Sequence, residues 1–121
     1  MTVLAVAIAG ALGAPARYLV ERTISARTAR RFPWGTLVVN ISGSFVLGFV
    51  TGLALYHGLA STPKAVVGTG FIGAYTTFST FAYETVDVGE RESTRLAAIY
   101  AVSSIVAGVA AATLGLVVAA I

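Results

Sequence analysis

The sequence has no cysteine and only one histidine, His57. The first absence excludes a disulfide framework, a thiolate nucleophile and a cysteine-ligated metal, and the second excludes a histidine-rich metal site. Charge is scarce too. Only 11% of the 121 residues are Asp, Glu, Lys or Arg, against about a quarter in an ordinary soluble domain. With 57% hydrophobic residues and a mean hydropathy of +0.88, the chain cannot cover its surface with charge, so lipid must cover it. The net charge of +3 comes from basic residues placed between apolar runs, a pattern of membrane topology and not of a nucleic-acid surface. There is no ATP-binding motif, acid–base pair or activated nucleophile, so nothing points to an enzyme. The first apolar run has no basic segment before it and does not read as a cleaved signal peptide.

What is there is four long apolar runs. A membrane-crossing helix needs roughly 20 mostly apolar residues. Runs at about 2–20, 35–56, 65–83 and 96–120 qualify and leave no room for a soluble domain. They are continuous, without the alternation of a barrel strand. The expected fold is therefore all-α: one domain of four transmembrane helices. ERTISARTARRFPW, HGLASTPK and ETVDVGERESTR form the connections. The first and third connections and their flanks carry Arg17, Arg22, Arg27, Arg30, Arg31, Arg91 and Arg95, and the opposite side has only Lys64. Seven against one places both termini outside and the arginines in the cytoplasm.

Two runs carry more than lipid requires. In the second, Ser44, Gly48 and Gly52 are small residues at close-packing spacing, as are Gly10, Gly13 and Ala14 in the first. Thr36, Asn40, Ser44 (or Gly43) and Thr51 fall near one face of the second run. Asn40 is the only carboxamide in the chain. Its amide either makes an interhelical hydrogen bond, worth about 1 kcal/mol or less, or lines a polar pathway. In the third run, FIGAYTTFSTFAYE places Gly68, Gly70 and Gly73 before Thr76, Thr77, Ser79 and Thr80. Such a segment can stay helical, with hydroxyls bonded back to carbonyls. It can also break, and broken helices at membrane depth mark ion or substrate sites. Phe78 and Phe81, three apart, share a helix face. They either pack against lipid and neighbours or turn positive ring edges toward an anion.

GALGAPARY, GTLVVNISGSFVLGF and GFIGAYTTFSTF together resemble the signature stretches of the small bacterial fluoride channels, the CrcB/Fluc family. The resemblance implies passive fluoride export across the bacterial inner membrane by an antiparallel dimer with two pores, each drawing on both subunits. It implies a third helix broken near Gly73 to Thr76, with the backbone carbonyls of Gly73 and Thr76 around a structural sodium ion that is not transported. It assigns the pore to Asn40, Phe78, Phe81, Tyr100 and Ser104, with Thr80 and Glu84 along the same route. Arg17 matches the arginine closing the first motif, and pairing with Glu21 is its other reading.

The chain departs from the family pattern in several places. The glycine pair beside the break reads Gly73-Ala74, and the fourth helix continues Tyr100, Ser104, Gly108, Ala112, so its polar track stops after Ser104. Many members insert in both orientations (dual topology) with nearly balanced loop charges. The bias here argues for one orientation, and hence for a heterodimer with a homologous subunit of opposite bias. Two rivals are a proton-coupled small multidrug transporter, which needs a membrane-embedded carboxylate, and a non-conducting assembly subunit.

Overall fold

The structure, a computed structural model, describes all 121 residues, and every regular element in it is helical. Helix α1 spans Thr2–Arg27 and α2 spans Trp34–His57. The third run opens with the short helix α3 (Ser61–Lys64), widens into a π-helical stretch (Ala65–Ile72) and closes with α4 (Gly73–Tyr75). After an interruption, α5 runs Ser79–Arg91 and α6 runs Thr94–Ala120. Helices α1, α2 and α6 are each long and apolar enough to cross a membrane.

All three expected connections are partly helical, with α3 (Ser61–Lys64) lying inside HGLASTPK. Helix α1 continues through Arg27, and α5 continues through most of ETVDVGERESTR, leaving Glu92 and Ser93 before α6. A helix has no reason to stop where lipid ends if its side chains are satisfied in water. Arg91 donates to Asp87 at 2.8 Å, one turn back, and the Ser93 hydroxyl accepts the Leu96 N–H at 3.0 Å to start α6. The third run, at about 65–83, is not one regular helix.

Backbone contact at small residues holds the bundle. A Cβ on Gly48 would collide with the Ala112 carbonyl, and one on Gly115 with the Phe45 carbonyl, so α2 and α6 meet backbone to backbone. At Gly70, a Cβ would lie 2.9 Å from the Val6 carbonyl, which seats the π-helical stretch against α1. Polar contacts tie the two ends. Arg31 and Glu92, 3.4 Å apart, join the α1–α2 and α5–α6 connections at one end. At the other, His57 Nε2 lies 2.7 Å from the Ala119 carbonyl and the hydroxyls of Thr2 and Thr62 are 3.3 Å apart.

Candidate functional site

Between α4 and α5 the backbone leaves its helical hydrogen bonding. Thr76 turns extended, with φ −80° and ψ 161°. The Thr77 N–H therefore cannot reach the Gly73 carbonyl. It donates to Asn40 Oδ1 at 2.9 Å, while Asn40 Nδ2 donates to the Thr77 carbonyl at 2.8 Å. One carboxamide thus satisfies both backbone groups of one residue. The pairing also fixes the amide's orientation, because an N–H can be met only by the oxygen. The Thr77 hydroxyl accepts the Thr80 N–H at 3.1 Å and starts α5 as an N-cap would. On the other side of the break, the Thr76 hydroxyl bonds back to the Ile72 carbonyl at 3.0 Å. Arg17 Nη1 approaches the Thr76 carbonyl at 3.4 Å.

A cavity of about 340 Å³ opens beside this break. Asn40 and Ser44 of α2, Thr76, Thr77 and Phe78 of the break, Phe81 of α5 and Ser104 of α6 all line it. Asn40 has a second N–H beyond the one given to Thr77. Ser104 Oγ is buried without a hydrogen-bond partner. The Phe78 and Phe81 ring centroids are 5.7 Å apart at 51°, and Phe78 is 78% exposed. The cavity offers an N–H, hydroxyls and two aromatic rings, with no ionised side chain among its lining residues.

The remaining expected residues form a second cluster. Glu84 accepts from the Thr36 hydroxyl on one oxygen and from the Tyr100 hydroxyl on the other, both at 3.0 Å. Tyr100 is fully buried, its ring 5.4 Å from Phe81 and 5.4 Å from Phe32. Glu84 lines a different cavity, of about 400 Å³, at the arginine-rich end. Thr80 stands between the clusters, its hydroxyl taking a bond from Thr77 at 3.1 Å. Asn40, Phe78, Phe81 and Ser104 are thus brought together at one cavity, Glu84 and Tyr100 at another place. Arg17 is not ion-paired with Glu21: the ion pairs involve Arg31 and Arg91, and Arg17 reaches the break instead.

Three contributors were not among the expected site residues. Thr36 and Ser44 lie on the polar face of α2 that the i, i+4 spacing marks. Thr77 has no signal in spacing, since its part is played by its peptide group and by a cap that forms only once the helix has broken.

Residues 4–116 match the family described as CrcB-like protein, Camphor Resistance (CrcB). This chain belongs to the CrcB family. Among its relatives is a protein of Leifsonia xyli subsp. xyli named fluoride-specific ion channel FluC 1, 49% identical over 96% of this chain and 85% of that one. Proteins named fluoride-specific ion channel FluC 2 occur in Mycobacterium tuberculosis H37Rv (48% identical, over 91% of this chain and 84% of that one) and in Cutibacterium acnes (44%, over 96% and 95%). These CrcB relatives are channels and not enzymes by name. Apolar crossing helices and bacterial relatives together make this a multi-pass bacterial membrane protein.

Proposed function

We propose that this CrcB chain is a subunit of a fluoride-selective channel through which fluoride leaves the cytoplasm passively. The observation that carries the reading is the Asn40–Thr77 pairing, which holds a broken helix open on a cavity shared with Phe78, Phe81 and Ser104. The names of the relatives supply the ion. Hydrogen fluoride is a weak acid that crosses lipid uncharged and ionises in the more alkaline cytoplasm. A negative-inside potential then drives the anion out, at about 2.3 kcal/mol per charge per 100 mV.

Conduction requires binding weak enough to release the ion. The cavity's weak donors meet that need: the second Asn40 N–H, the free Ser104 hydroxyl and the edges of two rings. A fixed Asn40 keeps its donor in place, so a small anion can exchange its hydration for it. A larger anion such as chloride is rejected on size. Thr80, Tyr100 and Glu84 continue the route toward the arginine-rich end. Both Glu84 oxygens are engaged by hydroxyls, which speaks against an open carboxylate trading protons for a drug.

An antiparallel dimer accounts for Phe78, whose exposure leaves it for a partner to cover. The excess of arginines at one end favours a partner of opposite charge bias over a second copy. A structural sodium ion fits the break. No group of three or more His, Cys, Asp or Glu side chains could hold a metal, so carbonyl oxygens are the available hard donors. The Gly73 carbonyl lacks the N–H that a continuous helix would bring. The Thr76 carbonyl has only the 3.4 Å approach of Arg17. Gly73 and Thr76 from each subunit would hold the ion, which would supply a fixed positive charge tying the two breaks together.

Growth tests the function. Bacteria lacking their own fluoride exporter and co-expressing this chain with a CrcB subunit of opposite loop charge should grow at fluoride concentrations that stop the parent strain. Unchanged sensitivity, with both subunits present in the membrane, would contradict the reading.

A further inference from the structure

The cavity of about 400 Å³ at the arginine-rich end is separate from the break. It lies between the α1–α2 connection and α5, and Ser25, Arg30, Phe32, Glu84, Asp87 and Arg91 are among its lining residues. Its charges are unequally engaged. Asp87 is held by Arg91 at 2.8 Å, and Arg91 also lies 4.0 Å from Glu92. Glu84 has a hydroxyl on each oxygen. Arg30 alone among the charged lining residues makes neither an ion pair nor a hydrogen bond, and it is exposed.

We infer that Arg30 makes this cavity an anion-gathering mouth, which concentrates small monovalent anions of any kind ahead of the Glu84 end of the route. As an entrance to that route, it rests on the channel reading above. A unit charge about 7 Å away in water shifts an anion's energy by about one thermal unit, or about three-fold in local concentration. Low-dielectric walls strengthen this by focusing the field. Glu84 and Asp87 line the same cavity, so the effect of Arg30 is the difference in local anion concentration between the wild type and a protein without that charge. The mouth gathers anions without choosing among them, and choice is left to the uncharged cavity at the break.

Trp34, the only tryptophan, reports on this place. It is 46% exposed, with its ring 4.7 Å from Phe32. Quenching of its fluorescence by iodide therefore reads local anion concentration whether or not fluoride passes. Arg30→Gln should lower iodide quenching about three-fold at about 0.01 M salt, where the Debye length is about 30 Å, and leave it unchanged at about 1 M. Quenching by neutral acrylamide should not change, and Arg27→Gln, on the same end but outside the cavity, should have a smaller effect. In liposomes containing the channel dimer, Arg30→Gln should slow fluoride efflux by a similar factor at low fluoride and low salt only. Unchanged iodide quenching would overturn the inference. So would normal low-salt efflux from the variant beside a conducting wild type. Reduced quenching together with a wild type that passes no fluoride would keep the anion-gathering site and reject the channel reading.

Discussion

Asn40 and Thr77 are joined by two hydrogen bonds, 2.8 and 2.9 Å long, that pair one side-chain amide with the N–H and C=O of one residue. A buried backbone N–H or C=O left without a partner is costly, and the Asn40 amide meets both. The same side chain that supports the break also faces the cavity with a spare donor. Support and ion contact are therefore combined in Asn40, and substitutions should separate them.

Asn40→Asp keeps an acceptor for the Thr77 N–H, loses the donor to the Thr77 carbonyl and puts a negative charge into an uncharged cavity. Fluoride efflux should fall about ten-fold or more. Asn40→Ala leaves both Thr77 groups unmet, at about 1–3 kcal/mol each, and should lower the thermal unfolding midpoint as well. Fluorescence-detected size exclusion after heating measures the second effect. An Asn40→Ala variant as stable as the wild type would mean that the pairing does not support the break.

Phe78 and Phe81 should respond differently. Phe78 is 78% exposed, whereas Phe81 lies between Phe78 and Tyr100, at 5.7 and 5.4 Å. Phe78→Ile should cut fluoride flux at least several-fold with little change in the unfolding of the subunit. Phe81→Ala should cut flux and also destabilise the subunit, by less than the roughly 3–5 kcal/mol of a fully buried aromatic, because Phe81 is only half-buried. Paired flux and thermal-stability measurements distinguish the two patterns.

The polar face of α2 was legible from spacing, because a helix repeats its faces and polar residues in an apolar run must find one another. Spacing alone puts Thr36, Asn40 and Ser44 on that face. The partners of Asn40 were not legible. Its bonds go to the peptide of Thr77, and backbone groups become partners only after a helix has broken, which side-chain patterning leaves open. The helical continuation of α5 to Arg91 was missed for a related reason: hydropathy reports where lipid ends, not where hydrogen bonding along the chain ends. Arg17 stays one turn from Glu21 without an ion pair, while its hydrogen bond goes to the Thr76 carbonyl, 59 residues away in sequence, a partner that helix spacing does not reveal.

Thr36 and Tyr100 each give Glu84 one hydrogen bond. Thr36→Val and Tyr100→Phe should each destabilise by about 1.5–3 kcal/mol, the range for bonds to a charged group. The double variant should depart from additivity, because both donors serve one carboxylate. Calorimetry of the four proteins checks this, and strict additivity would show that the two bonds act independently.

A Cβ at Gly73 would find its nearest neighbour at 3.7 Å within the subunit, an ordinary contact, whereas one at Gly48 would meet the Ala112 carbonyl. Gly48→Leu should therefore abolish folding. Gly73→Ala should spare the subunit and weaken assembly, if the two breaks face each other around sodium. Exchange of sodium for a bulky organic cation should likewise reduce flux from the wild type. Gel filtration and flux in the two buffers measure these outcomes, and a fully dimeric, fully conducting Gly73→Ala protein in sodium-free buffer would count against the sodium site.

Efflux of fluoride and of chloride from liposomes holding the purified dimer, wild type beside Asn40→Asp, tests the central claim most directly. Fast fluoride efflux without chloride efflux, reduced about ten-fold or more by Asn40→Asp while the dimer stays intact, is the expected result. Equal fluoride and chloride rates, or wild-type fluoride efflux from the Asn40→Asp protein, would contradict it.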